Sequence, residues 1–189
     1  MAETAPDDAP ATAAKDRATL APAAPRGEGS VSAAVVTINK PATELYDFWR
    51  KFTGLAGIME NVESIEVDGD RTHWKVLAPA GYKTVEWDAT ITEDVPGKRI
   101  GWQSTEGAEI RNSGQVEFTD AGARGTVVRA LIAYDPPGGA VGKFVAKLFQ
   151  REPAIQARRD LRRFKQFMET GEVATSSRTK AHDAVHKAG

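Results

Sequence analysis

The chain has 189 residues, no cysteine and a formal net charge of −1, with 25 Lys and Arg against 26 Asp and Glu. This near-neutral balance argues against a dedicated nucleic-acid-binding protein, and the lack of cysteine excludes disulfides, thiolate metal sites and a cysteine nucleophile. With 41% hydrophobic residues, the chain is long enough to fold as one globular domain around a sizeable core.

The two ends of the chain differ in composition from its middle. Residues 1–30 are rich in Ala and Pro and lack both the basic start and the apolar core of a signal peptide. Residues 172–189 are again small and polar. We expect both segments to be disordered and residues 31–171 to form the domain. No run of about 18 apolar residues is present, so we expect no transmembrane segment and a cytoplasmic protein.

The domain begins with a predicted strand and two predicted helices. Small and β-branched residues predict a strand over 31–38. A helix over 42–52, with Thr43 as its N-cap, is predicted because four apolar residues recur at helical spacing. These are Leu45, Phe48, Trp49 and Phe52. Gly54 and Gly57 bracket a second, short helical turn.

Six further strands are predicted, with tight turns between them. They cover residues 62–67, 71–77, 82–94, 99–105, 109–119 and 125–134. The run 82–94 alternates most regularly, with Trp87 and Ala89 on one face and Glu86 and Asp88 on the other. Strand spacings of roughly 8–12 residues favour an antiparallel meander over parallel βαβ units.

Residues 140–169 return to helical spacing. Pro153 interrupts the pattern, so we predict a short helix to about residue 150 and a longer helix over 153–170 that ends at Gly171. The residues of the longer helix that are predicted to face the sheet are Leu161, Phe164 and Met168.

The opposite side of the long helix is predicted to be a basic strip. It consists of Arg158, Arg159, Arg162, Arg163 and Lys165. Asp160 and Glu169 interrupt the strip. We therefore expect at most weak, salt-sensitive contact with an anionic surface such as RNA or lipid, and no DNA binding.

This order of elements resembles the START and pollen-allergen-like helix-grip superfamily (SRPBCC). Within it, the chain is similar to the polyketide cyclase/dehydrase family, which includes coenzyme-Q-binding START domains. The resemblance covers about residues 31–171. It is carried by residues 41–49 (PATELYDFW), 59–62 (MENV), Trp87 with Ile91, 96–102 (PGKRIGW), 136–139 (PPGG) and 161–165 (LRRFK).

The resemblance implies an α+β helix-grip fold. In such a fold, a curved seven-stranded antiparallel sheet wraps around a long, Pro-kinked C-terminal helix, and two short helices follow the first strand. It also implies a cavity between sheet and helix, since family members transport, present or cyclise lipids, quinones and polyketides. The fold does not choose among these activities.

Eight residues are the candidates for a ligand site between sheet and helix: Trp87, Ala89, Trp102, Phe118, Tyr134, Leu161, Phe164 and Met168. The aromatic side chains offer flat apolar walls, and the Tyr134 hydroxyl offers a polar handle. Ala89, with Ser104 and Ala130, leaves room beside them. The alternative for each of the large residues is ordinary core packing.

We assign no catalytic residue from the sequence. Alternation turns Glu86 and Asp88 away from Trp87, and it places His73 on the face opposite Trp74. His182 and His186 lie in the polar tail. The sequence indicates no metal site and no cofactor.

Three functions remain open from the sequence. We prefer a non-enzymatic domain that binds a small hydrophobic molecule. The first alternative is a polyketide aromatase/cyclase or dehydrase, which needs an inward acid or base. The second is an interaction protein that contacts RNA, the ribosome or anionic lipid through the basic strip.

Overall fold

The computed structural model describes residues 30–77, 84–108, 110–135 and 153–173. The predicted short helix before residue 150, the 136–139 loop, and most of both terminal segments, with His182 and His186, lie outside the described residues.

Seven strands in the described part of the chain form one antiparallel sheet, in the order β1-β7-β6-β5-β4-β3-β2. They are β1 (Ser30–Ile38), β2 (Val62–Asp68), β3 (Arg71–Leu77), β4 (Thr84–Val95), β5 (Arg99–Ser104), β6 (Arg111–Asp120) and β7 (Thr126–Asp135). Neighbours from β2 to β7 are consecutive in sequence, so the predicted meander is confirmed. The first strand closes the order by pairing with the last, which leaves β1 and β2 as the edges.

The helices follow the predicted order. Helix α1 covers Ala42–Arg50, a 3₁₀ helix covers Thr53–Gly57, another covers Gly122–Arg124, and the long helix, α2, covers Pro153–Thr170. The predicted range of α2 is confirmed, and Gly171 ends it at φ 79°. None of the described helices is both long and apolar enough to cross a membrane.

The predicted start of α1 at Ala42 is confirmed, but its predicted N-cap and its predicted end are wrong. Pro41 is the N-cap, and no side chain caps the helix. Pro41 lies just before the first turn and has extended dihedrals (φ −62°, ψ 146°), so Thr43 already lies inside the helix. At the other end, α1 stops at Arg50, and Phe52 leaves the helical stripe in which the spacing places it.

Phe52 is the centre of a tight γ-turn. Its dihedrals are φ 53° and ψ −42°, and the Thr53 N–H donates to the Lys51 carbonyl across it, with a nitrogen–oxygen distance of 2.5 Å. This conformation is rare and strained for a residue with a side chain. The turn places the Phe52 ring, which is 1% exposed, in the core.

Ion pairs and hydrogen bonds fix α1 to the end of β4. The Tyr46 hydroxyl donates to Asp94 Oδ1, and Arg50 Nε donates to Asp94 Oδ2 at 2.7 Å. Burial, followed by the bond to Asp94, raises the pKa of Tyr46 to about 12. Arg50 also reaches Asp70 in the β2–β3 turn at 3.0 Å, so one side chain joins the helix to two parts of the sheet.

Helix α2 packs against β1. Lys165 Nζ donates to the Thr37 carbonyl oxygen at 2.7 Å, and Glu169 Oε1 accepts from the Asn39 N–H at 2.7 Å. On the sheet below, Ala34 pairs with Ala130, and both are buried. Two alanines at this position leave room for the helix to approach. The small size of Ala130 therefore has a packing explanation.

The basic strip of α2 is largely solvent-facing, as predicted. Arg158, Arg159 and Arg162 are exposed, whereas Arg163 and Lys165 are half-buried. Binding of RNA or anionic lipid by this strip stays a prediction.

The register of β5 and β6 requires glycine at position 114. Gly114 pairs with Trp102, and a Cβ atom at residue 114 would lie 2.1 Å from Cζ2 of the indole. We predict that Gly114→Ala lowers the free energy of unfolding by about 1–3 kcal/mol because it overpacks the core and displaces Trp102. Urea denaturation monitored by tryptophan fluorescence measures the change.

Gly57→Ala is the matched control, because a Cβ at residue 57 meets nothing within 4 Å. We expect this variant to change the free energy of unfolding by less than about 0.5 kcal/mol. Equal effects of the two substitutions would contradict the placement of Trp102 over Gly114.

Candidate ligand-binding site

Four aromatic rings form a wall on the inner face of the sheet, and we call Phe52, Trp74, Trp87 and Trp102 the aromatic wall. Trp74 and Trp87 are direct cross-strand partners, and their rings stack with centroids 5.9 Å apart and an interplanar angle of 5°. The Phe52 ring makes edge-to-face contacts with Trp74 and Trp102, at 6.0 and 6.4 Å. Such contacts fix the orientation of flat apolar surfaces.

Two small residues lie between the tryptophans of this wall. Ala89 follows Trp87 by two positions on β4, and Ser104 follows Trp102 by two positions on β5. Ala89 and Ser104 are paired across the two strands. Because alternate residues of a strand share a face, the register sets two small side chains diagonally between two large rings.

The remaining predicted site residues fall into other environments. Phe118 contacts Tyr46 and Trp49, with ring centroids 6.1 and 6.3 Å apart. Phe164 contacts Trp49 at 5.0 Å and Phe48 at 5.8 Å. These contacts pack α1 between β6 and α2. The structure thus places Phe118 and Phe164 in the packing between helices and sheet, and not in the aromatic wall.

Tyr134 and the other two α2 residues complete the predicted set. Tyr134 is buried on β7 and lies opposite Asn112 of β6. Strand β7 is three strands away from β4 in the sheet order. Leu161 is buried, and Met168 is half-buried against the core. Their contact with a ligand stays a prediction.

The acids of β4 lie on the outer face, as alternation predicts. Asp88 accepts from Arg71 at 2.8 Å, and its Oδ1 lies 3.0 Å from Nδ1 of His73. The bond from Arg71, followed by that from His73, lowers the pKa of Asp88, and the same bond to Asp88 raises the pKa of His73. A surface depression of about 350 Å³ includes these residues and Glu86. Their charges compensate one another across the β3–β4 ladder, so we assign them no catalytic role.

Asp160 is a candidate functional residue that the sequence analysis missed. Its carboxylate accepts from the Glu60 backbone N–H at 3.3 Å and from Gln156 Nε2 at 3.1 Å. Burial outweighs these bonds and raises the pKa of Asp160 from 3.8 to about 6. The side chain therefore joins α2 to the segment that precedes β2.

A signal for Asp160 is present in the sequence. Residue 160 follows Ala157 by three positions and precedes Phe164 by four, and both of these residues are buried. Helical periodicity places such a residue at the margin of the buried stripe. Because Asp160 is charged and lies among arginines, the sequence pattern assigns it to the exposed basic strip and not to the margin of the buried stripe.

No group of three or more His, Asp or Glu residues within the described ranges is arranged to hold a metal ion.

A family model described as "Polyketide cyclase / dehydrase and lipid transport" matches residues 38–170. The chain belongs to this family. The resemblance to the helix-grip superfamily inferred from the sequence is therefore confirmed.

One protein sequence and two solved structures illustrate what this member of the polyketide cyclase/dehydrase family is similar to. An uncharacterized 17.2 kDa protein of Streptomyces lincolnensis is 32% identical over 136 residues, which cover 71% of this chain and 86% of the relative. A crystal structure from Deinococcus radiodurans is 45% identical, covers 76% of this chain and 100% of its own, and superposes with a TM-score of 0.61.

The Zhui aromatase/cyclase from a Streptomyces species has a TM-score of 0.55 at 13% identity, covering 77% of this chain and 99% of its own. At this identity, the likeness shows the shared helix-grip fold alone.

The raised pKa of Asp160 predicts a pH dependence of stability. Above its ordinary pKa of 3.8 and below about 6, Asp160 binds more protons in the folded than in the unfolded state. The free energy of unfolding therefore falls as pH rises through this window. Asp160→Asn keeps an acceptor for the Glu60 N–H and removes the titration. We therefore expect the wild type to lose stability relative to the variant as pH rises from 4 to 6. Urea denaturation at several pH values measures the two free energies of unfolding.

Other carboxylates titrate in the same window, so the comparison with wild type is the control. Parallel stability curves for the two proteins would contradict the raised pKa of Asp160.

Proposed function

We propose that the domain is a non-enzymatic binding module for a small hydrophobic molecule of lipid, quinone or polyketide type. The ligand lies between the inner face of the sheet and the C-terminal helix, against the aromatic wall. The observation that carries this proposal is the pair Ala89 and Ser104, set between the rings of Trp87 and Trp102 by the β4–β5 register. Large flat rings beside small residues make a surface that is complementary to a flat apolar molecule.

The other inner-face residues support this location. Ala34 and Ala130 are small where α2 packs closely on β1, so their size has a packing explanation. Ala89 lies three strands away from β7 in the sheet order, on β4, and its small size is not explained by the α2–β1 contact. The family description, which combines polyketide cyclisation with lipid transport, fits an apolar ligand of this kind.

A bulky side chain at position 89 tests the site. Ala89 is fully buried, so Ala89→Phe either fills free space or forces the core apart. We expect the variant to remain folded and to lose the rise in melting temperature that quinones, fatty acids or aromatic polyketides give the wild type. Tryptophan quenching by the same compounds should also be lost. Thermal denaturation and fluorescence titration provide the two measurements.

Ala33→Phe is the matched control, because it makes the same substitution at an exposed position on β1. It should bind each compound as the wild type does. Absence of both stabilisation and quenching for the wild type across the whole panel would refute the binding function.

Catalysis on a poly-β-keto chain is a second candidate function, and Asp160 is the observation that favours it. A carboxyl with a pKa of about 6 exchanges protons readily near neutral pH, which a cyclisation or dehydration needs. Glu60 and Gln156 hold the carboxylate in one place. In this second function, the Asp160 carboxyl is the acid or base that alternation along the strands does not supply.

We predict that, if the domain is an enzyme, Asp160→Asn lowers turnover of a poly-β-ketone by about 10²–10⁴-fold, the range typical of losing a general acid or base. Asp160→Glu should restore part of the rate, and binding measured by fluorescence should change little in either variant. Product formation is followed by mass spectrometry. Wild-type protein that binds the compound and leaves it unchanged would favour the binding module.

A further inference from the structure

Trp87 carries a buried hydrogen-bond donor without an acceptor. The residue is 9% exposed, and within the described structure Nε1 of its indole has no hydrogen-bond partner. An unpaired buried donor costs about 1–3 kcal/mol, since the N–H loses its water and gains nothing in return. Such groups are uncommon in folded proteins, and each one requires an explanation.

The stacked partner of Trp87 gives an internal comparison. Nε1 of Trp74 donates to Oγ1 of Thr72 at 2.9 Å. Thr72 precedes Trp74 by two positions on β3, and the equivalent position before Trp87 on β4 is Val85. Ala89, two positions after Trp87, is the residue that pairs with Thr72. Neither Val85 nor Ala89 has a side-chain acceptor, so β4 gives Trp87 no counterpart of Thr72.

The side chains that follow Trp87 along β4 and lie directly across from it on β3 are also apolar. Ala89 follows it on β4, and Trp74 lies opposite it on β3. A water molecule that capped the indole N–H would need two or more further polar partners, and Val85, Ala89 and Trp74 provide no side-chain acceptor. The nearby inner-face hydroxyls already have partners: Thr72 Oγ1 accepts from Nε1 of Trp74, and Ser104 Oγ accepts from the Asn112 N–H.

Trp49 has a second unpartnered indole nitrogen within the described residues, but its setting differs. Its ring makes T-shaped contacts with Phe118 and Phe164, at 6.3 and 5.0 Å. Aromatic rings are weak acceptors for N–H groups, and these contacts belong to the packing of α1 and α2. Trp87 is the donor that belongs to the proposed site.

We propose that Nε1 of Trp87 donates a hydrogen bond to an oxygen atom of the ligand. The ligand class is then a flat, apolar molecule that carries a carbonyl oxygen, such as a quinone or an aromatic ketone, in preference to a pure hydrocarbon. This inference rests on the proposed binding function. Nε1 of Trp87 is then the atom that discriminates among apolar ligands, because a ligand without an acceptor leaves the indole N–H unpaired.

The experiment compares two probes of the same shape, 1,4-naphthoquinone and naphthalene, on the full chain. The chain contains no cysteine, so the quinone is not captured by a thiol. Trp87→Phe keeps an aromatic ring and removes the donor. Trp74→Phe is the matched control, because the donor it removes is already bound to Thr72.

We expect Trp87→Phe to weaken naphthoquinone binding about tenfold, the loss that corresponds to one hydrogen bond of about 1.4 kcal/mol. Naphthalene binding should stay within about twofold. Trp74→Phe should change the affinity for both probes by the same factor. Isothermal titration calorimetry measures all six affinities.

The outcomes separate the donor from the site itself. If naphthalene binds and Trp87→Phe weakens both probes equally or neither, the hydrogen bond is overturned and the binding site stands. If neither probe binds the wild type, the binding function fails and the inference fails with it. If Trp87→Phe does not fold, the ¹⁵N-labelled indole of wild-type Trp87 decides the question: a downfield N–H shift with naphthoquinone and not with naphthalene supports the bond, and no shift refutes it.

Discussion

The strained turn at Phe52 is the constraint on which the inner face of the sheet depends. A non-glycine residue at φ 53° and ψ −42° costs about 1–3 kcal/mol and persists where the surrounding structure determines it. Here, the surrounding structure is the edge-to-face contact of the Phe52 ring with Trp74 and Trp102. Burial of a phenylalanine ring contributes about 1.5–3 kcal/mol, which offsets the strain. The turn thus ends α1 and supports the aromatic wall at once.

The sheet separates two kinds of chemistry by alternation. On its outer face, Arg71, His73 and Asp88 are linked by bonds of 2.8 and 3.0 Å, and their charges stabilise the β3–β4 ladder. On its inner face, the same two strands carry Trp74 and Trp87. Because successive side chains point to opposite sides, a ligand against the tryptophans is remote from those charges. This arrangement fits selection of a ligand by shape and by single hydrogen bonds.

Small residues have two different roles on the inner face. Ala34 and Ala130 lie where α2 packs on β1, which Lys165 fixes by donating to the Thr37 carbonyl. Ala89 and Ser104 lie between the tryptophan rings. Ala89 is fully buried and does not serve the approach of α2 to β1, so the packing of helix on sheet leaves its small size unexplained. Both the binding proposal and the Trp87 donor concern this second pair.

The sequence by itself determined the order of elements, the meander and the range of α2, because turn residues and hydrophobic periods of 2 and 3.6 are local properties. It also placed Trp87 inside and Asp88 outside. Tertiary structure alone decided that Phe52 leaves its helix and that Phe118 and Phe164 pack around Trp49. It also determined which of two stacked tryptophans has an acceptor and that burial raises the pKa of Asp160. Each of these depends on which residues meet across elements that are distant in sequence, and local periodicity carries no information about those partners.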